Sequence, residues 1–193
     1  GGIDMKRIGW LVLVLLLISV LGLGACSRVE PPQEPPVQTE DPVTPQEPAE
    51  PDDVREHVRL YFGNANADAV VAEIREIIYP EDIAWEDYLT LVLTELAAGP
   101  EREDLFPTIP EGVKVLSLTV QDDLVVVDFS EEMTINHWGG AAGESMTLNS
   151  IVNTLTEFEE VKRVMLTVEG ETMLLEHILL DEPLERNPQM IGE

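Results

Sequence analysis

Apolar and polar residues alternate from Val58 to Phe62, with Val58, Leu60 and Phe62 on one side and Gly63 closing the run, which predicts a strand. A polar loop, Asn64 to Asp68, leads to Val70–Ile78, whose pattern fits a strand or a helix and which Pro80 ends. From Trp85 to Ala98 the apolar residues Trp85, Tyr88, Leu89, Val92, Leu96 and Ala97 recur every three or four positions, the spacing of one helical face. Glu86 and Asp87 suit the positive end of that helix, and Gly99-Pro100 stops it. Val113–Val120 and Leu124–Phe129 predict a hairpin across Gln121-Asp122-Asp123. Because that turn lacks an Asn-Gly or Asp-Gly pair, a longer or bulged loop is expected. A second helix is predicted from about Gly143 to Phe158, with Leu148, Ile151, Val152 and Leu155 as its stripe. Val161–Val168 alternates as a further strand, Met173–Leu175 offers a short last one, and the tail from Glu182 reads as loose. The order β-(β)-α-β-β-α-β, with two one-faced helices needing a common sheet, predicts an α+β two-layer sandwich.

The N-terminal pattern is of another kind. With Met5 as the start, Lys6-Arg7 forms a basic segment and Ile8–Leu23 an apolar run close to the shortest length that spans a bilayer. The run ends in Leu23-Gly24-Ala25-Cys26, which resembles the lipobox of bacterial lipoproteins. That resemblance implies a signal peptide over residues 1–25 and a diacylglyceryl group on Cys26, the sole cysteine. An uncleaved anchor helix is the alternative, and it places the chain at the same membrane. Once alkylated, Cys26 leaves no thiol for a disulfide, so the domain must hold by packing.

Charge narrows the partners. The 193 residues carry 11 basic and 38 acidic side chains, a formal charge of −27. A surface this negative repels nucleic acid and gains nothing from anionic headgroups, so attachment falls to the acyl chains. Residues 26–53 hold the lipidated cysteine and a linker with 8 of the 14 prolines and many acids. Too little there is apolar to offset chain entropy. As extended polyproline II at ~3.1 Å per residue it would reach on the order of 80 Å and lift a domain over residues 54–193 off the bilayer.

Catalytic and metal patterns are poor. His57, His137 and His177 stand far apart in the sequence, no His or Cys pair has zinc-ligand spacing, and Ser145 near His137 is no nucleophile elbow. Asn64, Asn66 and Asp68 have the alternate spacing of a calcium loop, but the glycine is absent and Arg75 takes the twelfth place, so a polar turn is expected. No catalytic residue, metal or cofactor is predicted. Gly139-Gly140-Ala141-Ala142-Gly143-Glu144 lacks the lysine of a phosphate loop. It reads either as a helix start whose N–H groups meet an acidic partner, or as a tight turn that lets the helix pack closely. Trp138 beside it is either an exposed anchor for a partner or a lid on the core.

Several segments taken together resemble the GerMN domain of bacterial sporulation and germination lipoproteins. They are Tyr61-Phe62-Gly63, Leu96-Ala97-Ala98-Gly99-Pro100, Ile109-Pro110-Glu111-Gly112, Val127-Asp128-Phe129-Ser130, the Gly139–Glu144 stretch, and Ser150-Ile151-Val152-Asn153-Thr154-Leu155-Thr156-Glu157-Phe158. The resemblance spans residues 58–186 and implies a core similar to ring-building modules of secretion-like assemblies, with no known catalytic activity. The 64–68 loop departs from it in being less acidic. The expectation is therefore a lipid-anchored protein on the outer face of the cell membrane. Its domain would bind another envelope protein or copies of itself through Trp138, Gly139, Gly140, Gly143, Glu144 and Asn153. The competing expectation is a binding domain for peptidoglycan fragments or a small solute, with Trp138 and Asn153 as contacts.

Overall fold

The computed structural model describes residues 53–193. The leader, Cys26 and nearly all of the linker lie outside the described residues. Among the described residues, no helix is long and apolar enough to cross a membrane.

Two strands, β1 (Asp53–Gly63) and β2 (Val70–Pro80), pair antiparallel along eleven residues each. The first strand thus begins well before Val58. Asn64 and Asp68 close the loop between them, through the Asn64 Nδ2 bond to Asp68 Oδ1 and the Asp68 N–H bond to Asn64 Oδ1. It is a polar turn made by Asx chemistry. The ambiguous segment is a strand because its burial alternates: Glu73, Arg75 and Ile77 point inward, Ile74, Glu76 and Ile78 outward. Two charged side chains face the interior and two isoleucines face solvent, which inverts the usual pattern and hides the period.

The inward charges are paired. Arg75 Nη2 donates to Glu73 Oε1 at 2.6 Å and to the Gly99 carbonyl at 3.1 Å, and Nη1 reaches Glu95 Oε2 at 3.3 Å. The Glu73 carboxylate also accepts the backbone N–H groups of Glu101 and Arg102. It thereby fastens the chain just past α1 (Trp85–Ala97) to the hairpin. Burial opposes ionisation of Glu73, but Arg75 and the two N–H groups outweigh it and hold the carboxyl below its ordinary range. In α1 itself Tyr88, Leu89, Val92, Leu93 and Leu96 are buried, as the spacing predicts.

The main sheet has six strands. Strands β3 (Val115–Gln121) and β4 (Leu124–Phe129) form the hairpin. Its loop is two residues long, Gln121 pairing with Leu124. The expected longer loop is not needed, because Asp122 takes the left-handed conformation, φ 56°, that short polar side chains tolerate. The irregularity lies instead between Val115 and Ser117. A short helix, α2 (Glu132–Ile135), and the long α3 (Gly140–Leu155) then carry the chain to β5 (Arg163–Val168). β5 runs parallel to β4 from Leu124↔Arg163 to Phe129↔Val168. Antiparallel β6 (Glu171–Leu174) and β8 (Leu184–Glu185) share the other side of β5, and β7 (Leu179–Leu180) pairs with β6.

The predicted order of elements is present and the class is α+β, but the common sheet is not: β1 and β2 stand as a separate two-stranded sheet. Helix α3 lies against β1 on one side and β5 on the other, which explains why polar Thr147, Ser150, Asn153 and Thr154 are buried along with its apolar stripe. Two of those side chains replace a strand. Thr154 Oγ1 accepts the Tyr61 N–H at 3.1 Å, and Ser150 Oγ donates to the Tyr61 carbonyl at 2.5 Å. Two residues on, Gly63 exchanges both backbone bonds with Phe106.

The tail is ordered, contrary to the sequence reading. Leu184 pairs with Val164, the Gly192 N–H bonds the Val70 carbonyl, and Met190 and Ile191 cover Tyr61, Val70 and Met146. Arg186 donates to the Asn153 carbonyl, to Tyr61 Oη and to Glu157, and its guanidinium lies 5.5 Å over the Tyr61 ring. Burial works against the charge of Glu157, yet bonds from Tyr61, Arg59 and Arg186 hold its carboxyl below the ordinary range.

Candidate functional site

The sequence-predicted residues gather where α3 begins. Gly139 and Gly140 have φ of 86° and 57°, a left-handed pair that L side chains adopt poorly, and they turn the chain from α2 into α3. Gly143 then packs on that turn. Its N–H bonds the Gly139 carbonyl, and a Cβ placed on it would stand 2.1 Å from the Trp138 carbonyl oxygen. Close packing is thus the reason for the glycines, although the close neighbour is the helix's own entrance and not the sheet. A Gly143→Ala substitution is expected to cost about 1–3 kcal/mol by overpacking. It should also shift Trp138, readable as a changed indole fluorescence maximum in the folded variant.

Trp138 is 46% exposed and Phe106 51%, so the tryptophan is no lid on the core. The two rings border an apolar groove of about 250 Å³ floored by Pro107, Ala142 and Met146. Trp138 also borders a wider hollow lined by Ile109, Gly112 and Asn136. Ile135, three positions earlier, is 66% exposed. Phe106 carried no signal in the sequence. It sits in an irregular loop, and only its backbone pairing with Gly63 brings it beside Trp138.

Glu144 is buried in α3, and its Oε1 accepts the His177 N–H and faces His177 Nδ1, both at 3.1 Å. His137 lines the same cavity as Glu144, so two histidines that are distant in sequence meet around one carboxylate. Burial lowers the His137 pKa, against the pull of Glu144, and favours the neutral ring. His137 Nε2 lies 3.1 Å from Thr147 Oγ1, a buried hydroxyl that donates to the Thr108 carbonyl at 2.7 Å. That hydroxyl is committed to the fold and closed to a substrate.

Asn153 is not part of this face. It is fully buried, accepts the Asn187 N–H through Oδ1 and donates to the Asn187 carbonyl, tying the tail to α3. From Gly140 it lies thirteen residues along the helix, about 20 Å at 1.5 Å per residue. A ligand held by Trp138 and Asn153 together is therefore excluded by geometry.

The fold and this site define an α+β domain that presents an aromatic-rimmed groove at a glycine-built helix entrance. The family described as "Germane: Sporulation and spore germination" matches residues 59–174, and the chain belongs to that family. The spore germination protein GerM of Bacillus subtilis (strain 168) is 34% identical over 119 residues, which are 56% of this chain and 31% of that protein. The chain therefore spans under a third of that relative. The solved tandem GerMN domains of the sporulation protein GerM from Bacillus subtilis share 27% identity and superpose with a TM-score of 0.57, covering 72% of this chain and 48% of that one. The first GerMN domain of the same protein gives a TM-score of 0.51 over 68% of this chain and 98% of that one. At 18% identity, this last likeness speaks for the fold alone.

Proposed function

We propose that this chain is a lipoprotein acylated at Cys26 and held on the outer face of the cell membrane. In this reading its GerMN-type domain is a non-catalytic module that docks on another exported protein or on a second copy of itself, in sporulation, germination or another envelope process. The observation that carries the proposal is the exposure of Phe106 and Trp138 on one groove at the helix entrance, with Ile135 exposed three residues before Trp138. Large apolar side chains grouped on a surface are typical of docking anchors. The lipobox and the family support the setting, and the acidic composition disfavours nucleic acid as the partner.

Substituting Phe106 and Trp138 together by Ala should leave the unfolding midpoint nearly unchanged, since both are half exposed. A photo-reactive residue in place of Ile135 in the full chain is expected to cross-link in cells to one discrete envelope protein or to a second copy. The double substitution should remove that product. A chain that stays monomeric, gives no discrete product and is stabilised by wall muropeptides would instead favour the ligand-binding alternative.

A further inference from the structure

We infer that Glu144, Glu176 and His177 form a binding site for a divalent cation of the zinc class. The sequence hides this site because its donors come from two elements. Glu144 stands in the second turn of α3. Glu176 and His177 are the central residues of the turn joining β6 to β7, closed by the Leu175 N–H bond to the Ile178 carbonyl at 2.9 Å. One carboxylate oxygen from each glutamate and a ring nitrogen of His177 lie within 4.8 Å of one another. Zinc bonds of 2.0–2.2 Å set donor atoms roughly 3.3 Å apart in a tetrahedron. The Glu144 Oε1 to His177 Nδ1 separation of 3.1 Å is already close to that edge, and an oxygen of the exposed Glu176 lies within 4.8 Å of both.

A second observation is independent of that spacing. Glu144 is 1% exposed, and a buried carboxylate requires a compensating charge. The fold meets this need elsewhere with arginine: Glu73 has Arg75, and Glu157 has Arg59 and Arg186. Among the described residues no lysine or arginine is paired with Glu144. Its partners are the neutral backbone N–H and the half-exposed imidazole of His177, and Glu144 and Glu176 both line a polar cavity that reaches solvent. A small cation entering that cavity would supply the missing charge. An imidazole nitrogen among only three protein donors suits zinc better than calcium or magnesium, which prefer more numerous oxygen ligands.

The test uses the full chain in detergent, freed of metal by chelator and titrated with zinc chloride by calorimetry. Cobalt(II) absorption serves as a second readout. We expect one ion per chain, a visible cobalt band of the low-coordinate type, and about tenfold or greater weakening in both Glu176→Gln and His177→Gln. Both side chains are exposed enough for the variants to fold, which unfolding curves without metal will verify. Absence of stoichiometric binding, or binding of equal strength in parent and variants, would overturn the inference.

Discussion

Arg75→Ala is expected to lower the unfolding free energy by about 3–5 kcal/mol, the usual loss when one member of a buried ion pair is removed. For a domain of this size that corresponds to a melting temperature lower by roughly 10–20 °C. The cause is the glutamate left behind. Without Arg75 the Glu73 carboxylate stays inside the hairpin, held only by two backbone N–H groups. Replacing the pair as Glu73→Leu with Arg75→Met should recover part of the loss, because no unpaired charge is then buried. The recovery stays partial, since the loop at Glu101 and Arg102 loses its acceptor. The acid response follows from the lowered pKa of Glu73. The stabilisation from this carboxylate is complete above its ordinary pKa and fades as pH falls through the lower folded-state value. Urea titrations at pH 7 and pH 3 should therefore show the gap between parent and Arg75→Ala narrowing in acid. A gap under about 1 kcal/mol at neutral pH would contradict the assignment.

Removing the last twelve residues, so that the chain ends at Asp181, is expected to cost on the order of 3–5 kcal/mol, from partial loss of apolar cover and of charged hydrogen bonds. Met190 and Ile191 leave Tyr61, Val70 and Met146, and β5 loses its partner over Arg163 and Val164. Arg186 leaves Glu157, Tyr61 and the end of α3 in the same step. Arg186→Met separates the contributions, with about 1–3 kcal/mol expected for the charge-assisted bonds alone. Hydrogen exchange should show faster opening at Tyr61 and Val70 in the truncated chain. A truncation that leaves the urea midpoint within error of the parent would mean that the tail only rests on the surface.

What the sequence disclosed depended on whether an element obeys its own period. Helix α1 has Tyr88, Leu89, Val92 and Leu96 on its buried side, and β4 alternates cleanly, so both were legible. β2 was not, because Glu73 and Arg75 replace apolar residues on its inner face and their compensation comes from a loop some 25 positions away. The tail from Glu182 reads as loose because its contacts are tertiary and its one strand is only two residues long, too short for any periodicity. The site divides in the same way. Glycines at Gly139, Gly140 and Gly143 announced a constrained turn, and Trp138 announced an aromatic beside it. Phe106, Glu176 and His177 reach that place only through folding. Asn153 misleads because a polar residue on a helix looks available until a partner such as Asn187 is seen to occupy it.

The way α3 lies along β1 also bears on how copies of this domain can meet. A strand arriving at the outer border of the first hairpin would need the outward N–H and C=O of Tyr61 and Gly63, and hydroxyls of the helix and the Phe106 backbone already occupy those four groups. Recruitment by sheet extension, and the runaway polymerisation that accompanies it, is blocked along this stretch.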